Sequence, residues 1–309
     1  MTATLAQTVP VPRLSDDLAF LDITTGWDTE TPFQAWRASI VVPAAFRPAF
    51  APARVIVVAN QKGGVGKTVT SLELALAYVA AGFRVRLIDA DPQKAALTVW
   101  LKEICYPADL PVAERRSLTD VFFDRCTLKD ATYPTIYKGL FFVPSGPDLG
   151  TVDTERPPGA DTCLQHHLRK PDPDIDIDII DSGPNLGTLT VAALAAAHDV
   201  LIAIQDGGLE LHGANSLAAT IKRVQVRLNE ELSVRGIFFT DFEKTTLSRT
   251  IGAQMTKAFP NAIIVPVRES VRVGEASLAR KPLRFYAPGV NPILDYDRAA
   301  GILITRKAG

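Results

Sequence analysis

Long apolar runs are missing from this sequence. No stretch reaches the roughly 18 consecutive apolar residues that a spanning helix needs, so the chain reads as one with no membrane segment. Cysteine is scarce: Cys105, Cys126 and Cys163 stand alone. That excludes a disulfide framework or a cysteine-held zinc, and predicts reduced thiols in the cytosol. Histidine is scarcer still in useful places. His166-His167 lacks a second ligand pair, while His198 and His212 are isolated, so neither a histidine metal site nor activation of Ser182 as a nucleophile is expected. An excess of either charge is also absent, with 33 basic against 34 acidic residues. Any contact with nucleic acid must therefore come from a local patch. The opening MTATLAQTVPVPRLSDD has no basic start followed by an apolar core and does not read as a secretory signal. With 47% hydrophobic and 22% charged residues in 309, one large globular domain is expected.

What is present is concentrated in Val55–Thr70, VIVVANQKGGVGKTVT. A β-branched run ends at Asn60, a glycine-rich turn follows, and Lys67-Thr68 open SLELALAYVAAG, which patterns as a helix. Strand, glycine turn and helix carrying Gly-Lys-Thr is the layout of a phosphate-binding loop. Backbone N–H groups around Gly63, Gly64 and Gly66 point at an anion, Lys67 reaches the β- and γ-phosphates, and the Thr68 hydroxyl ligates Mg²⁺. The expected nucleotide set within the loop is Gly63, Gly64, Val65, Gly66, Lys67, Thr68 and Val69, with ATP and Mg²⁺ as cofactors. The usual G-x-x-x-x-G-K-[ST] spacing is not met, because Gln61 stands at the first glycine position and Lys62 opens the loop.

Residues 1–53 are proline-rich and irregular, with one candidate helix at Thr31–Ser39. Trp27, Phe33, Trp36 and Phe46 are too many aromatics for a plain linker, so this arm is expected either to lie on the main domain or to help dimerise or bind a partner. From residue 54 to 309 the reading is one domain of regular βα pattern. Strands are expected at RVIVVAN, RVRLIDA, Leu140–Val143, the end of DIDIDIID, Asp199–Ile204, Val234–Thr240 and Ala262–Val265. Helices are expected at Val69–Ala81, Ala95–Ile104, Ser117–Asp124, Asp161–Arg169, Leu189–Ala197, Leu211–Glu230, Thr246–Phe259 and Asp295–Arg306, and Pro147–Pro158 reads as a loop or weak helix. The fold class is α/β, a mostly parallel sheet covered by helices on both faces, with ligands at the carboxyl ends of the strands.

Two carboxylates end strands near the loop. Asp91 follows the second strand within Asp89-Ala90-Asp91-Pro92-Gln93, and Asp181 ends Ile177–Ile180. Phosphoryl transfer to water needs Mg²⁺ and a group to orient the attacking water, and on chemistry alone either aspartate suits either task. Asp91, directly before Pro92, also suits a helix cap.

KGGVGKT with Lys62, DADPQ, GPNLGTLTVAAL at Gly183–Leu194 and VRVGEAS at Val271–Ser277 together resemble the ParA/MinD family of deviant P-loop ATPases, and Gln93 favours its partition-protein branch. The resemblance implies an ATPase in which Lys62 crosses a dimer interface to the partner's nucleotide, Asp91 positions the lytic water and Asp181 holds the Mg²⁺ shell. Asp89 becomes a structural carboxylate. Thr240, Pro266 and Arg268 are placed near the base by the same resemblance. The chain departs from the family pattern at Gly183, where a proline is usual, at Ala192, where asparagine is common, and at Asp206-Gly207-Gly208.

A dimer of this kind is expected to bind double-stranded DNA without sequence preference, here through Lys222, Arg223, Arg227, Arg249, Arg272, Arg280 and Lys281. Arg223 and Arg227 share a helix face, opposite Leu217, Ile221, Val224 and Leu228. The implied function is plasmid or chromosome partition with a ParB-like centromere-binding partner, in the cytoplasm on the nucleoid. Two alternatives stand beside it: a relative that positions a protein cargo, such as a chemoreceptor array or microcompartment, through another adaptor, or an ATP-gated regulator with almost no turnover. No membrane-targeting helix is expected in the tail, because the last helix opens with Asp295, Tyr296 and Asp297.

Overall fold

The computed structural model describes residues 53–305 apart from 108, 206–209 and 244, and leaves the side chains of 210–215 and 305 undescribed. The arm with its Thr31–Ser39 helix and four aromatics, the Asp206-Gly207-Gly208 departure, the His212 side chain and the last four residues lie outside the described residues.

The chain enters the sheet at β1 (Arg54–Ala59), whose β-branched residues point alternately to two faces and are buried on both. α1 (Lys67–Ala80) follows, then β2 (Val85–Ala90), α2 (Ala96–Cys105) and α3 (Leu118–Phe122). A two-residue β3 (Tyr133–Pro134) and β4 (Leu140–Val143) lead through α4 (Thr151–Glu155) and α5 (Cys163–Leu168) to β5 (Ile177–Ser182). α6 (Thr188–Ala196), β6 (Asp199–Ile204), α7 (Glu210–Arg227), β7 (Ser233–Phe242), α8 (Thr246–Ala258) and β8 (Ile263–Arg268) come next. The chain closes with α9 (Val271–Leu278), α10 (Leu283–Tyr286) and α11 (Asn291–Thr305).

The strands form one sheet in the order β3-β4-β2-β5-β1-β6-β7-β8. All pairs are parallel except β3 with β4. This is the expected α/β architecture. β1 lies centrally, between β5 and β6, which sets its glycine turn beside the end of β5. On one face Ile56 and Val58 pack with Leu72, Leu74 and Leu76 of α1, Leu97 and Leu101 of α2, and Tyr296 and Leu303 of α11. On the other, Val55, Val57 and Ala59 pack with α3, with Leu189–Leu194 of α6, with Leu217, Ile221 and Val224 of α7, and with Ile251 and Met255 of α8.

Helix α1 starts at Lys67, two residues before its expected start, because the Thr70 N–H already donates to the Gly66 carbonyl at 2.9 Å. α11 starts at Asn291 rather than Asp295, with Pro292 in its first turn, where a missing N–H costs nothing. The acidic run before β5 buries Ile175 and then every residue from Ile177 on, Asp178 included. Its carboxylate accepts from Arg86 Nε at 2.6 Å, and Arg86 also reaches Asp172 at 3.0 Å, so two charges stay inside the sheet as a pair.

Candidate functional site

The turn between β1 and α1 is shaped from its first residue. Asn60 is buried; its Nδ2 donates to the Ala203 carbonyl on β6 at 2.6 Å, and its Oδ1 accepts from the Lys62 N–H at 3.2 Å. Gly64 (φ +82°) and Gly66 (φ +77°) adopt the left-handed conformation open to glycine. Gly66 is doubly constrained, since a Cβ there would lie 2.9 Å from Thr240 Cγ2. Thr240, at the end of β7, donates to or lies within bonding reach of the Val65 carbonyl at 3.0 Å and the Ile204 carbonyl at 3.1 Å, closing the loop from behind. Gln61, Lys62, Gly63 and Gly64 are exposed, while Val65 and Lys67 are buried and Thr68 and Val69 half-buried.

Lys67 Nζ donates to the Lys62 carbonyl at 2.8 Å, across the mouth of the loop. Burial pulls its ammonium below the usual lysine range, and the Asp181 and Asp91 carboxylates oppose that shift. Thr68 Oγ1 donates to Asp181 Oδ2 at 2.8 Å, and Ser71 Oγ lies 3.0 Å from Asp181 Oδ1. Asp181 is fully buried; burial, then the adjacent Asp89 charge, pushes its carboxyl up to about 8. Asp89 and Asp181 are register partners on β2 and β5. Asp89 accepts from the Thr98 N–H (2.8 Å), Thr98 Oγ1 (2.7 Å) and the Asp91 N–H (3.2 Å), and burial lifts it to about 6. Asp91 Oδ1 accepts from the N–H groups of Gln93 at 2.8 Å and Lys94 at 3.4 Å, so it caps the turn after β2 while facing the same cleft.

Lys62, Lys67, Thr68, Asp91, Asp181 and Thr240 are thus gathered at one end of the sheet. Pro266 sits on β8, an edge strand where its missing N–H is tolerated. Arg268 is committed to Asp295, which accepts from its backbone N–H at 2.9 Å and its NH2 group at 2.7 Å. Asn60 and Ser71 are site residues that the sequence reading passed over. Ser71 was open to discovery, since it lies three residues after Thr68 on one helix face.

The basic candidates are all exposed and divide between helices on the two faces of the sheet. Lys222, Arg223 and Arg227 on α7 and Arg249 on α8 lie on helices that cover the same face of the sheet. Arg272, Arg280 and Lys281 belong to the α9–α10 segment, which packs on α1 and α11 at the other face. Arg272 is held by Glu275 at 2.6 Å.

A glycine cradle between a central strand and a helix opening with Lys-Thr, faced by aspartates ending two adjoining strands, defines a P-loop nucleotide hydrolase. A family model described as AAA domain matches residues 53–234. The chromosome partitioning protein ParA of Caulobacter vibrioides is 34% identical over 246 residues, covering 76% of this chain and 88% of that protein. The chromosome-partitioning ATPase Soj of Thermus thermophilus is 33% identical over 258 residues, covering 83% and 97%. Among solved structures, a cobyrinic acid a,c-diamide synthase from Mycobacterium smegmatis with bound ADP and magnesium is 28% identical, with a TM-score of 0.67 over 82% of this chain and 94% of that one. The Cyanothece McdA(D38A)–ATP complex shares the fold at 20% identity, with a TM-score of 0.69 over 84% and 99%. The chain belongs to the ParA/Soj-related family of deviant P-loop ATPases. Among the described residues no helix is long and apolar enough to cross a membrane.

Proposed function

We propose that this protein is an ATP-driven dimerisation switch that binds double-stranded DNA without sequence preference and takes part in plasmid or chromosome partition with a ParB-like partner. The observation that carries the reading is Lys62. It is exposed at the lip of a loop whose second lysine, Lys67, is buried, so the two lysines face different clients: Lys67 its own nucleotide, Lys62 that of a second copy.

The residues present fit Mg²⁺ and a nucleotide. Thr68 and Asp181 offer hard oxygen donors, and Asp181 is a buried carboxylate whose charge is costly until a cation arrives. No cluster of three His, Cys, Asp or Glu occurs among the described residues, which suits a metal that keeps waters and shares phosphate oxygens. Bound Mg²⁺ supplies charge neutralisation on the phosphate oxygens. In this reading the amides of Gly63–Thr68 and the Lys67 ammonium bind the phosphates, Thr68 and Asp181 hold the metal shell, and Ser71 keeps Asp181 oriented. Asp91 accepts a hydrogen bond from the attacking water once its carboxylate turns from the Gln93 N–H. DNA phosphates meet Lys222, Arg223, Arg227 and Arg249 on one face, and Arg272, Arg280 and Lys281 on the other. Pro266 and Thr240 flank the base side. The location is the cytoplasm, on the nucleoid.

A second reading keeps the switch and changes the cargo to a protein assembly held through another adaptor. Ala192 favours it, being fully buried where the resemblance puts a polar side chain in the helix after the metal-site strand.

The test is sizing of the full chain with ATP, ADP and no nucleotide, for wild type, Lys62→Ala and Asp91→Ala, followed by salt-titrated binding to non-specific DNA. An ATP-only dimer that binds DNA is expected, lost in Lys62→Ala and prolonged in Asp91→Ala. Size and DNA binding that ignore nucleotide overturn the switch. An ATP dimer with no DNA affinity at low salt selects the second reading.

A further inference from the structure

β2 and β5 run in register to their ends: Asp89 faces Asp181 and Ala90 faces Ser182. One step further, Gly183 meets Asp91. A Cβ on Gly183 would lie 2.9 Å from Pro92 Cδ, 3.1 Å from Asp91 Oδ1 and 3.5 Å from Asp91 Cα. Gly183 is buried and its backbone does not require glycine for its φ, so the missing side chain, not the backbone, is what the position needs. Pro92 Cδ is part of a ring and has no rotamer with which to withdraw. On the other side the strand end is pinned, because Ser182 Oγ donates to the Val58 carbonyl of β1 at 2.9 Å. A methyl group at 183 therefore displaces the Asp91-Pro92 turn, and with it the carboxylate that two backbone N–H groups hold.

We infer that Gly183 is a positioning residue for hydrolysis: the absence of its side chain sets how close the Asp91 carboxylate sits to the end of β5, and so to the Asp181–Thr68 pair. The inference rests on the reading of Asp91 as the group that orients water. It assigns a role to the residue at which this chain departs from the double proline of the resemblance. Gly183 touches neither metal nor nucleotide in this account. It acts through Asp91 alone, so changing it alters turnover and leaves ATP affinity in place.

The experiment measures ATP affinity and single-turnover hydrolysis by the full chain with Mg²⁺ and non-specific DNA, in wild type, Gly183→Ala, Asp91→Ala and the double variant. Displacement of a positioned group by part of an ångström is expected to lower turnover about 10- to 100-fold. The ATP dissociation constant should move less than about twofold, on the scale of an untouched contact. In the Asp91→Ala background the glycine change should add nothing. Wild-type turnover in Gly183→Ala overturns the inference, and so does an equal further loss in the Asp91→Ala background, or a loss of ATP affinity matching the loss of turnover. If Gly183→Ala does not fold, Gly183→Ala with Pro92→Ala removes the ring contact while keeping the contact with Asp91, and the same comparison is made there against Pro92→Ala. Failure of the underlying reading shows separately: Asp91→Ala then turns over as fast as wild type.

Discussion

Replacing Gly66 with alanine attacks the loop at its most crowded point. Two costs are separable. An L-residue held at φ +77° loses roughly 1–2 kcal/mol relative to glycine. The new Cβ would also stand 2.9 Å from Thr240 Cγ2, with Thr240 Cβ at 3.2 Å and Oγ1 at 3.3 Å. Thr240 cannot rotate away cheaply, because its Oγ1 is engaged with the carbonyls of Val65 and Ile204. Overpacking of this sort costs roughly 1–3 kcal/mol. Gly66→Ala should therefore destabilise the nucleotide-free protein by about 2–5 kcal/mol, the sum of the two terms. Thr240→Ser keeps the hydroxyl and deletes Cγ2, the nearest atom. In combination it should return about 1 kcal/mol of the packing term and none of the backbone term, a coupling that a double-mutant cycle resolves. The assay is urea denaturation of wild type, both single variants and the double variant, with binding of a fluorescent ATP analogue measured alongside. Gly66→Ala as stable as wild type, or strictly additive effects of the two changes, would refute the account of the loop as a cradle closed by Thr240.

Asp181 predicts an unusual pH profile. Its folded-state pKa of about 8 lies above the unfolded value near 3.8, so the folded chain binds that proton more tightly. Stability of the nucleotide-free protein should then fall as pH rises from about 4 to about 8. In Asp181→Asn, melting curves should lose much of that fall between about pH 6 and 8, while the part below about pH 6, to which Asp89 contributes, remains; Mg²⁺ with ATP should cancel the Asp181 part in wild type and change nothing there in the variant. An identical profile in both proteins would show that Asp181 is not the responsive group. Glu73 of α1 accepts from the Leu283 N–H at 2.7 Å and from Arg284 Nε at 3.0 Å, so it fastens the α9–α10 segment to the phosphate-loop helix. Glu73→Gln keeps an acceptor for the Leu283 N–H but leaves Arg284 with Asp297 and the Glu73 carbonyl. Weakening one hydrogen bond to a charged group costs about 1.5–3 kcal/mol, or about 3–12 °C in melting temperature. No shift in melting temperature would mean that the pair is not what holds the segment.

The parts of the site that could be read from the sequence are those carried by short range. The glycine turn, Lys67-Thr68 and the strand-ending aspartates announce themselves within a few residues, because a phosphate cradle is built from consecutive backbone amides. Ser71 and Asn60 escaped notice for the opposite reason: a serine inside a helix and an asparagine after a strand gain meaning only when the neighbouring strands are known. Asp181 gives Ser71 its role, and the Ala203 carbonyl on β6 gives Asn60 its own. The basic residues illustrate the same limit. They share the C-terminal half of the sequence, but α9 and α10 return to the face of α1, and the set divides between the two sides of the sheet.

The departures from the family pattern are the places where a single sequence is hardest to interpret, since loss of function and local repacking look alike in one dimension. In three dimensions they separate. Gly183 is filled by the Asp91-Pro92 turn, which occupies the space a side chain would take. Ala192 is fully buried within the apolar core that α6 forms with β1 and α7, where an asparagine would need a hydrogen-bonding partner among alkyl groups. Gln205, which the pattern retains, donates to Asp241 at 2.6 Å and joins the ends of β6 and β7 behind the loop. A decaying site accumulates cavities and stranded polar groups. Here Gly183 and Ala192 are both packed, and Asn60, Lys67, Thr68 and Thr240 around the loop keep hydrogen-bond partners.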